Sequence, residues 1–574
     1  MPVHNADIAA IFEEIAELLE IQNENPFRIR AYRNAARQVE GMGVALADMV
    51  AKDEDLTELP GIGDDLAAKI QEIVATGQCQ ALQKLRKQVP PSMTELLRIP
   101  GLGPKRVRML YDRLKIKSID LLAKAAQAGK IRELQGFGAK TEQTILAALS
   151  AHVGEQKRFK LAIAAQYAEP LKKYLEKIPG VQQVVLAGSY RRFKETVGDI
   201  DILVTATGAG KVMEQFTTYD EVREVLAKGD TRSTVILQCG LQVDLRVVDP
   251  ECYGAALQYF TGSKAHNIEI RRLGQKYKFK INEYGVFKGD KRVAGKTEES
   301  VYRAVDLPWI APELRENRGE IEAARAGKLP RLIERKDLRG DLHAHTKATD
   351  GHNTLREMAE AARVHGLEYI AITEHSRRLT VTHGLDVKRL RQQMEEIDRL
   401  NETLKGITVL KGIEVDIFED GSLDLPDDVL GELDIVVGAV HSQFKLARVR
   451  QTARILKAMD HPHFTILAHP SGRLIDQREA YDVDMLKIIR KARARGCFLE
   501  LNAHPERLDL LDIYCQTAKE EGVLVAISSD AHGARDFDNL VYGVGQARRG
   551  WLEKKDVLNA RSLKELRVLL KRTM

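Results

Sequence analysis

The chain has 574 residues, 44% of them hydrophobic and 30% charged, with a net charge of +5. That length predicts roughly three to five domains of an ordinary soluble globular protein. The absence of any apolar run of about 20 residues argues against a membrane helix, and five cysteines without paired spacing argue against a disulfide framework or a cysteine zinc site. The modest charge confines any nucleic-acid surface to local patches. The opening MPVHNADIAAIFEEIAELLE reads as an acidic amphipathic helix rather than a signal or transit peptide, and a reducing cytoplasm suits the scattered thiols.

From Asn5 to about Leu149 the pattern is of short helices. RIRAYRNAARQ places Arg28, Arg30, Arg33 and Arg37 close together, a basic cluster that is either a solvated face or part of a polyanion surface. ELPGIGDDLAAKI, RIPGLGPKRVRML and ELQGFGAKTEQTI then repeat one pattern, an apolar position, a Gly-apolar-Gly turn and a helix. This resembles the helix-hairpin-helix motif. Gly61, Gly63, Gly101 and Gly103 let the backbone approach a phosphate, the N–H groups opening the next helix donate to it, and Lys105 adds charge. Such contacts position DNA without reading its sequence.

The stretch GSYRRFKETVGDID, Gly188 to Asp201, follows an apolar strand-like run. Asp199 and Asp201 stand two apart on a predicted strand and share a face. Adjacent carboxylates repel unless a cation lies between them. The glycine turn before them offers backbone N–H groups to a phosphate. A third carboxylate, Asp244, comes from the alternating run LQVDLRVV. Metal-binding carboxylates beside a phosphate cradle are what two-metal phosphoryl transfer requires.

These residues, with YFTGSKAHNIEIR further on, resemble the palm of family X DNA polymerases, the DNA polymerase beta fold. The resemblance implies that Asp199, Asp201 and Asp244 hold Mg²⁺ and that Gly188, Ser189, Arg192 and Arg158 bind the triphosphate. It further implies that Tyr259, Phe260 and Gly262 lie against the sugar, and that Asn267 and Arg271 face the minor groove of the nascent pair. Lys264 and His266 depart from the animal polymerase. Lys69 matches the lysine that forms a Schiff base in the lyase domain of polymerase beta, although acidic Asp64 and Asp65 precede it and raise a lysine pKa rather than lower it.

Beyond Arg335 strands and helices alternate, as in an α/β barrel or doubly wound sheet. Six of seven strand-like runs deliver a histidine or carboxylate to their C-terminal ends: His343 and His345, His375, Glu414, His441, His469, and Asp530 with His532. Barrel enzymes build their sites at that end. With Asp350 the candidates number nine, enough for two or three ions, and mixed imidazole and carboxylate suits Mn²⁺ or Zn²⁺. Asn502, His504, His383, His461 and His463 read as core or loop residues. The set resembles the PHP (polymerase and histidinol phosphatase) domain. That resemblance implies one ion on His343, His345, Glu414 and Asp530, a second on Glu414, His441 and His469, and a third on Asp350, His375 and His532.

The fold class expected is a multidomain α+β and α/β protein. A helical lyase-like domain (1–85) and a helix-hairpin-helix domain (86–153) precede palm and nucleotide-selecting domains (154–320). A linker (321–337) then leads to a seven-stranded distorted (β/α) barrel (338–574). The expected function is gap-filling DNA synthesis in base-excision or end-joining repair, joined to a metal-dependent 3′-5′ exonuclease or abasic-site endonuclease. Its partners would be gapped or nicked DNA and dNTPs, with no membrane, and the chain would act as a cytoplasmic monomer. Two alternatives are a template-independent nucleotidyltransferase carrying a small-molecule phosphatase and a DNA-end scaffold with inactive sites.

Overall fold

The computed structural model describes residues 3–571 except 4, 23, 43–45, 60, 89–95, 97–98, 100–101, 135, 139–140 and 147–157. Two units result: Met1–Arg158 with Gln238–Gly240, and Phe159–Leu237 with Leu241–Met574. Among the described residues no helix is long and apolar enough to cross a membrane.

The first unit is helical. Helix Asn5–Ile21 buries Ile8, Phe12, Ile15 and Leu19 at helical spacing, and packs them against Ile29, Tyr32 and Ala36 of helix Pro26–Gly41. Asn25 caps that second helix by accepting from the Phe27 N–H at 2.9 Å. Helices Asp64–Thr76 and Pro104–Leu114 each begin after a glycine, Gly63 and Gly103, that supplies no side-chain cap. No side chain caps the opening N–H groups of Asp64 and Asp65 in the first helix, and in the second, Pro104 has no N–H to cap.

The second unit begins with a five-stranded sheet. In spatial order its strands are Val181–Leu186, Asp199–Ala206, Gln242–Val247, Arg232–Leu237 and Val222–Lys228. Asp199–Ala206 and Gln242–Val247 run parallel, which needs a long crossover between them, and the other pairs are antiparallel. Helix Leu161–Glu176 packs on this sheet through Leu161, Ala164, Ala168 and Leu171. Helices Tyr253–Thr261, Lys264–Lys276 and Glu298–Ala304 follow, with a three-stranded meander between the last two. The segment read as a connection packs closely: Ile310, Leu314, Ile321 and Ala324 are buried in one cluster with Ile270 and Tyr302.

From Gly340 onward seven strands lie side by side in sequence order, every neighbouring pair parallel. They are Gly340–Ala344, Tyr369–Ile372, Thr408–Asp416, Ile435–Ala439, Ile466–Leu467, Phe498–Asn502 and Val525–Ser528. Just beyond the first and last strands a parallel bridge joins Ala344 to Ala531, bringing the two edges together at the C-terminal rim. These strands are buried except at Thr408 and Lys411, as a parallel sheet covered by helices requires.

Candidate active sites

In the palm, the parallel register sets Asp201 directly opposite Asp244, and Asp199 projects from the same face as Asp201. Both Asp244 oxygens already accept hydrogen bonds, Oδ1 from Thr234 Oγ1 at 2.6 Å and Oδ2 from Gln242 Nε2 at 2.7 Å. Burial, followed by the Asp199 and Asp244 carboxylates, pushes Asp201 up to about 7. That is the signature of acids crowded without a compensating cation, so the donor set fits a divalent ion. Gly188 has φ +61, and a Cβ there would sit 2.3 Å from Asp201 Oδ2; only glycine permits this approach. The residues after it form one helical turn, Gly188–Arg191, so the cradle is a helix start rather than an open loop.

The residues expected to select the nucleotide lie on neighbouring segments. Tyr259 and Phe260 close helix Tyr253–Thr261, Gly262 ends it, and the Arg246 guanidinium lies 4.4 Å over the Phe260 ring. Asn267 is fixed at both ends of its amide, accepting from Gln258 Nε2 at 2.8 Å and donating to the Tyr259 carbonyl at 2.7 Å. Arg271 donates to the Asn267 carbonyl at 3.3 Å. Gln258, which sequence reasoning missed, thus fixes the Asn267 amide. Arg192 donates to the Thr261 carbonyl and, at 3.0 Å, to Glu316. Its neighbour Arg191 turns the other way, to Glu298.

In the first unit, Gly61, Gly63 and Gly103 have nothing within 4 Å of an added Cβ, which leaves room for a backbone phosphate. Gly101 and the Lys105 side chain lie outside the described residues. Arg158 is exposed at the end of this unit. Lys69 pairs with Asp65. Burial acts to lower its pKa, but Asp65 and Tyr32 outweigh it and leave the amine above its ordinary value. An amine nucleophile needs the opposite shift.

In the barrel, all nine candidate ligands gather at the C-terminal rim. Glu414 is the hub: five imidazoles, His375, His469, His441, His343 and His345, stand 2.6, 3.0, 3.2, 3.6 and 3.9 Å from its oxygens. Three groups could each hold an ion: His345, Asp350, His375 and His532; His343, His345 and Asp530; and His375, Glu414 and His441. His345 and His375 are each shared by two groups. His469 and Asp530 have left-handed backbones, φ 26 and 54, a strain that persists where the surroundings demand a fixed side-chain direction. His345 Nδ1 and His469 Nδ1 are buried without a hydrogen-bond partner, and His375 Nδ1, His441 Nδ1 and His345 Nε2 face carboxylate oxygens at 2.6, 3.3 and 3.4 Å. Buried polar atoms left this way are costly, and divalent cations would satisfy them; the fit is good.

Burial, His532 and His375 push His345 down to about 3, the free-base form a ligand must have. Against burial, neighbouring carboxylates raise His343, His375, His441 and His532 above the ordinary histidine value, so a cation bound there would have to displace their protons. Burial opposes ionisation of Glu414 and Asp530, yet neighbouring imidazoles hold both well below the carboxylate range. The residues supporting these ligands were not singled out from sequence. Glu500 meets His343 Nδ1 at 2.7 Å and accepts from the His469 N–H at 2.7 Å. Asp416 stands 3.3 Å from His441 Nδ1. Asn502, read as a core residue, donates to Asp530 at 2.9 Å.

The comparisons with known proteins follow the same divisions. Family models match for a helix-hairpin-helix domain (3–79), a SAM-like helix-hairpin-helix tandem (93–151), the DNA polymerase beta palm (163–251) and thumb (256–316), and the PHP domain (341–504). The DNA polymerase/3′-5′ exonuclease PolX of Bacillus subtilis (strain 168) is 39% identical over 574 residues, covering 99% of this chain and 100% of that protein. The chain belongs to the PolX family. Its barrel part alone is also similar to smaller proteins. A probable phosphatase of Thermoanaerobacter sp. (strain X514) is 29% identical over 38% of this chain and 89% of its own length. A probable phosphatase of Caldanaerobacter subterraneus is 30% identical over 35% of this chain and 80% of its own. A PolX family member therefore joins a polymerase palm and thumb to a PHP barrel in one chain.

Proposed function

We propose that this PolX family member fills short gaps in DNA during repair and trims 3′ ends with its barrel, working as a cytoplasmic monomer on gapped or nicked DNA and dNTPs. The observation that carries the reading is the pairing of two acid-rich sites of opposite design, Asp199, Asp201 and Asp244 in the palm and the Glu414-centred cluster in the barrel. Asp199, Asp201 and Asp244 would hold Mg²⁺. The nine barrel ligands would hold two or three Mn²⁺ or Zn²⁺ ions. When bound, such ions acidify the attacking hydroxyl or water and neutralise phosphate charge.

The chain's own residues do the positioning. Gly188 and Ser189 would offer backbone N–H groups to the triphosphate, and Arg192 and Arg158 a guanidinium each. Tyr259, Phe260 and Gly262 would exclude a 2′-hydroxyl by contact with the sugar. Asn267, held by Gln258, and Arg271 would read the minor-groove edge. Gly61, Gly63, Gly101, Gly103 and Lys105 would grip DNA phosphates, and Lys69 is a phosphate contact in this reading rather than a Schiff-base nucleophile.

The test supplies purified protein with gapped DNA, Mg²⁺ and dNTPs for synthesis, or Mn²⁺ alone for hydrolysis. Asp201→Ala is expected to lower synthesis by about a thousandfold or more while hydrolysis persists, and His343→Ala to do the reverse. If each substitution abolishes both reactions, the assignment of separate sites is wrong.

A further inference from the structure

The barrel's last long helix, Leu540–Arg549, is built into the loop that follows Gly188. Gly545 lies so close to the Phe193 ring that a Cβ there would stand 2.1 Å from it. Phe193 itself has a left-handed backbone, φ 53, which turns its ring toward the helix and its neighbours back toward the palm. Arg549, at the C-terminal end of the helix and only 2% exposed in its side chain, donates through Nη1 to the Arg192 carbonyl at 2.9 Å and to Glu316 at 2.9 Å. Its Nη2 donates to Asp512 at 2.8 Å, and Arg318 donates to the same carboxylate at 3.0 Å. Two residues along from Phe193, Glu195 pairs with Arg473 of the barrel at 2.7 Å. The barrel thus holds the loop at three successive places: the backbone of Arg192, the ring of Phe193 and the carboxylate of Glu195.

We propose that Gly545 and Arg549 of the barrel are positioning residues of the polymerase nucleotide site, fixing the Gly188–Lys194 loop and setting how readily Arg192 is released to the triphosphate. The inference rests on the reading of Arg192 as a triphosphate contact.

Its physical core is one shared oxygen. Glu316 Oε1 accepts from Arg192 at 3.0 Å and from Arg549 at 2.9 Å. A nucleotide that takes Arg192 breaks the first bond, but Arg549 remains, so the part-buried Glu316 is never left unpaired. Without Arg549, Arg192 would be the sole partner of that carboxylate among these groups, and drawing it away would strand a charge in a poorly solvated place. Nucleotide binding then weakens, whereas chemistry at the aspartates is untouched.

Primer extension on gapped DNA with wild-type, Arg549→Ala, Arg549→Lys, Gly545→Ala and Arg192→Ala full-length chains tests this, with Mn²⁺-dependent hydrolysis of a single-stranded oligonucleotide measured beside it. Arg549→Ala and Gly545→Ala are expected to raise KM for dNTP roughly tenfold with kcat within about twofold. Arg549→Lys, which keeps a cation on Glu316, recovers most of the loss. Hydrolysis stays at the wild-type rate and reports an intact barrel. The proposal is overturned if Arg192→Ala raises KM for dNTP but Arg549→Ala and Gly545→Ala do not, which leaves the triphosphate role of Arg192 standing. An Arg192→Ala chain with unchanged KM overturns that role and the proposal with it. If Arg549→Ala loses hydrolysis as well, Gly545→Ala decides by the same KM criterion.

Discussion

The two acidic sites solve one electrostatic problem in opposite ways. In the palm three carboxylates face one another, with Arg232 3.5 Å from Asp244, and burial, followed by the Asp199 and Asp244 charges, pushes Asp201 up to about 7. In the barrel the carboxylates are interleaved with imidazoles. Burial disfavours the charge on Glu414, but His441, His375 and His343 more than compensate. The first arrangement is self-repelling and is completed by an added cation. The second is compensated in part by its own imidazoles. Carboxylate-only sites suit hard Mg²⁺, whereas imidazole-rich sites suit Mn²⁺ or Zn²⁺.

The largest effect that could break this comparison is on stability in a chelating buffer. Glu414→Gln removes the hub of five imidazoles and is expected to cost about 3–5 kcal/mol, as the loss of one partner from a buried charge network does. Asp201→Asn relieves repulsion and is expected to be neutral or to stabilise by about 1 kcal/mol. Denaturant unfolding of both variants checks the contrast. Equal losses would mean that the palm acids are as internally compensated as the barrel's.

A smaller effect sharpens the barrel side. Glu500 is fully buried and touches two candidate ligands, His343 Nδ1 and the His469 backbone. A carboxylate so placed fixes the ring's tautomer and direction, and its loss costs about 10- to 100-fold in metal affinity or activity. Glu500→Gln should therefore lower hydrolysis by that factor and leave primer extension alone. Apparent affinity for Mn²⁺, measured by titrating hydrolysis, should fall in parallel.

How legible each region was follows from how local its signal is. The barrel's candidate ligands could be brought together from sequence because six of the seven strands carry theirs at the C-terminal end, so a one-dimensional pattern reports a three-dimensional ring. The palm aspartates were readable in part: Asp199 and Asp201 are neighbours in sequence, whereas Asp244 depended on a strand pattern alone. Glu500, Asp416 and Gln258 carry no such mark. Their partners lie 157, 25 and 9 residues away, and nothing in spacing announces a pairing made by the tertiary fold. Arg191 and Arg192 show the same limit, since adjacent arginines of one motif turn to different carboxylates, Glu298 and Glu316. Likewise the expected linker from residue 321 onward begins inside a core, with Ile321 and Ala324 buried beside Ile270 and Tyr302.

The least of the expected effects concerns His266, a position that differs from the animal polymerase pattern. The ring is fully buried, with Nδ1 at 2.7 Å from Glu320 and Nε2 at 2.9 Å from the Tyr302 hydroxyl. Burial holds its pKa below the ordinary histidine value despite Glu320. An unfolded chain would take up a proton near pH 6.5, which the folded ring resists, so this group favours unfolding as pH falls below that point. Its contribution to stability is complete above pH 6.5 and declines by at most about 1.4 kcal/mol per pH unit below it. Wild-type protein should therefore lose more stability than His266→Gln between pH 7 and pH 5, the two curves converging as the acid limit is approached. If the His266 ring were protonated in the folded protein and truly ion-paired with Glu320, wild type would instead lose less stability than His266→Gln over this range.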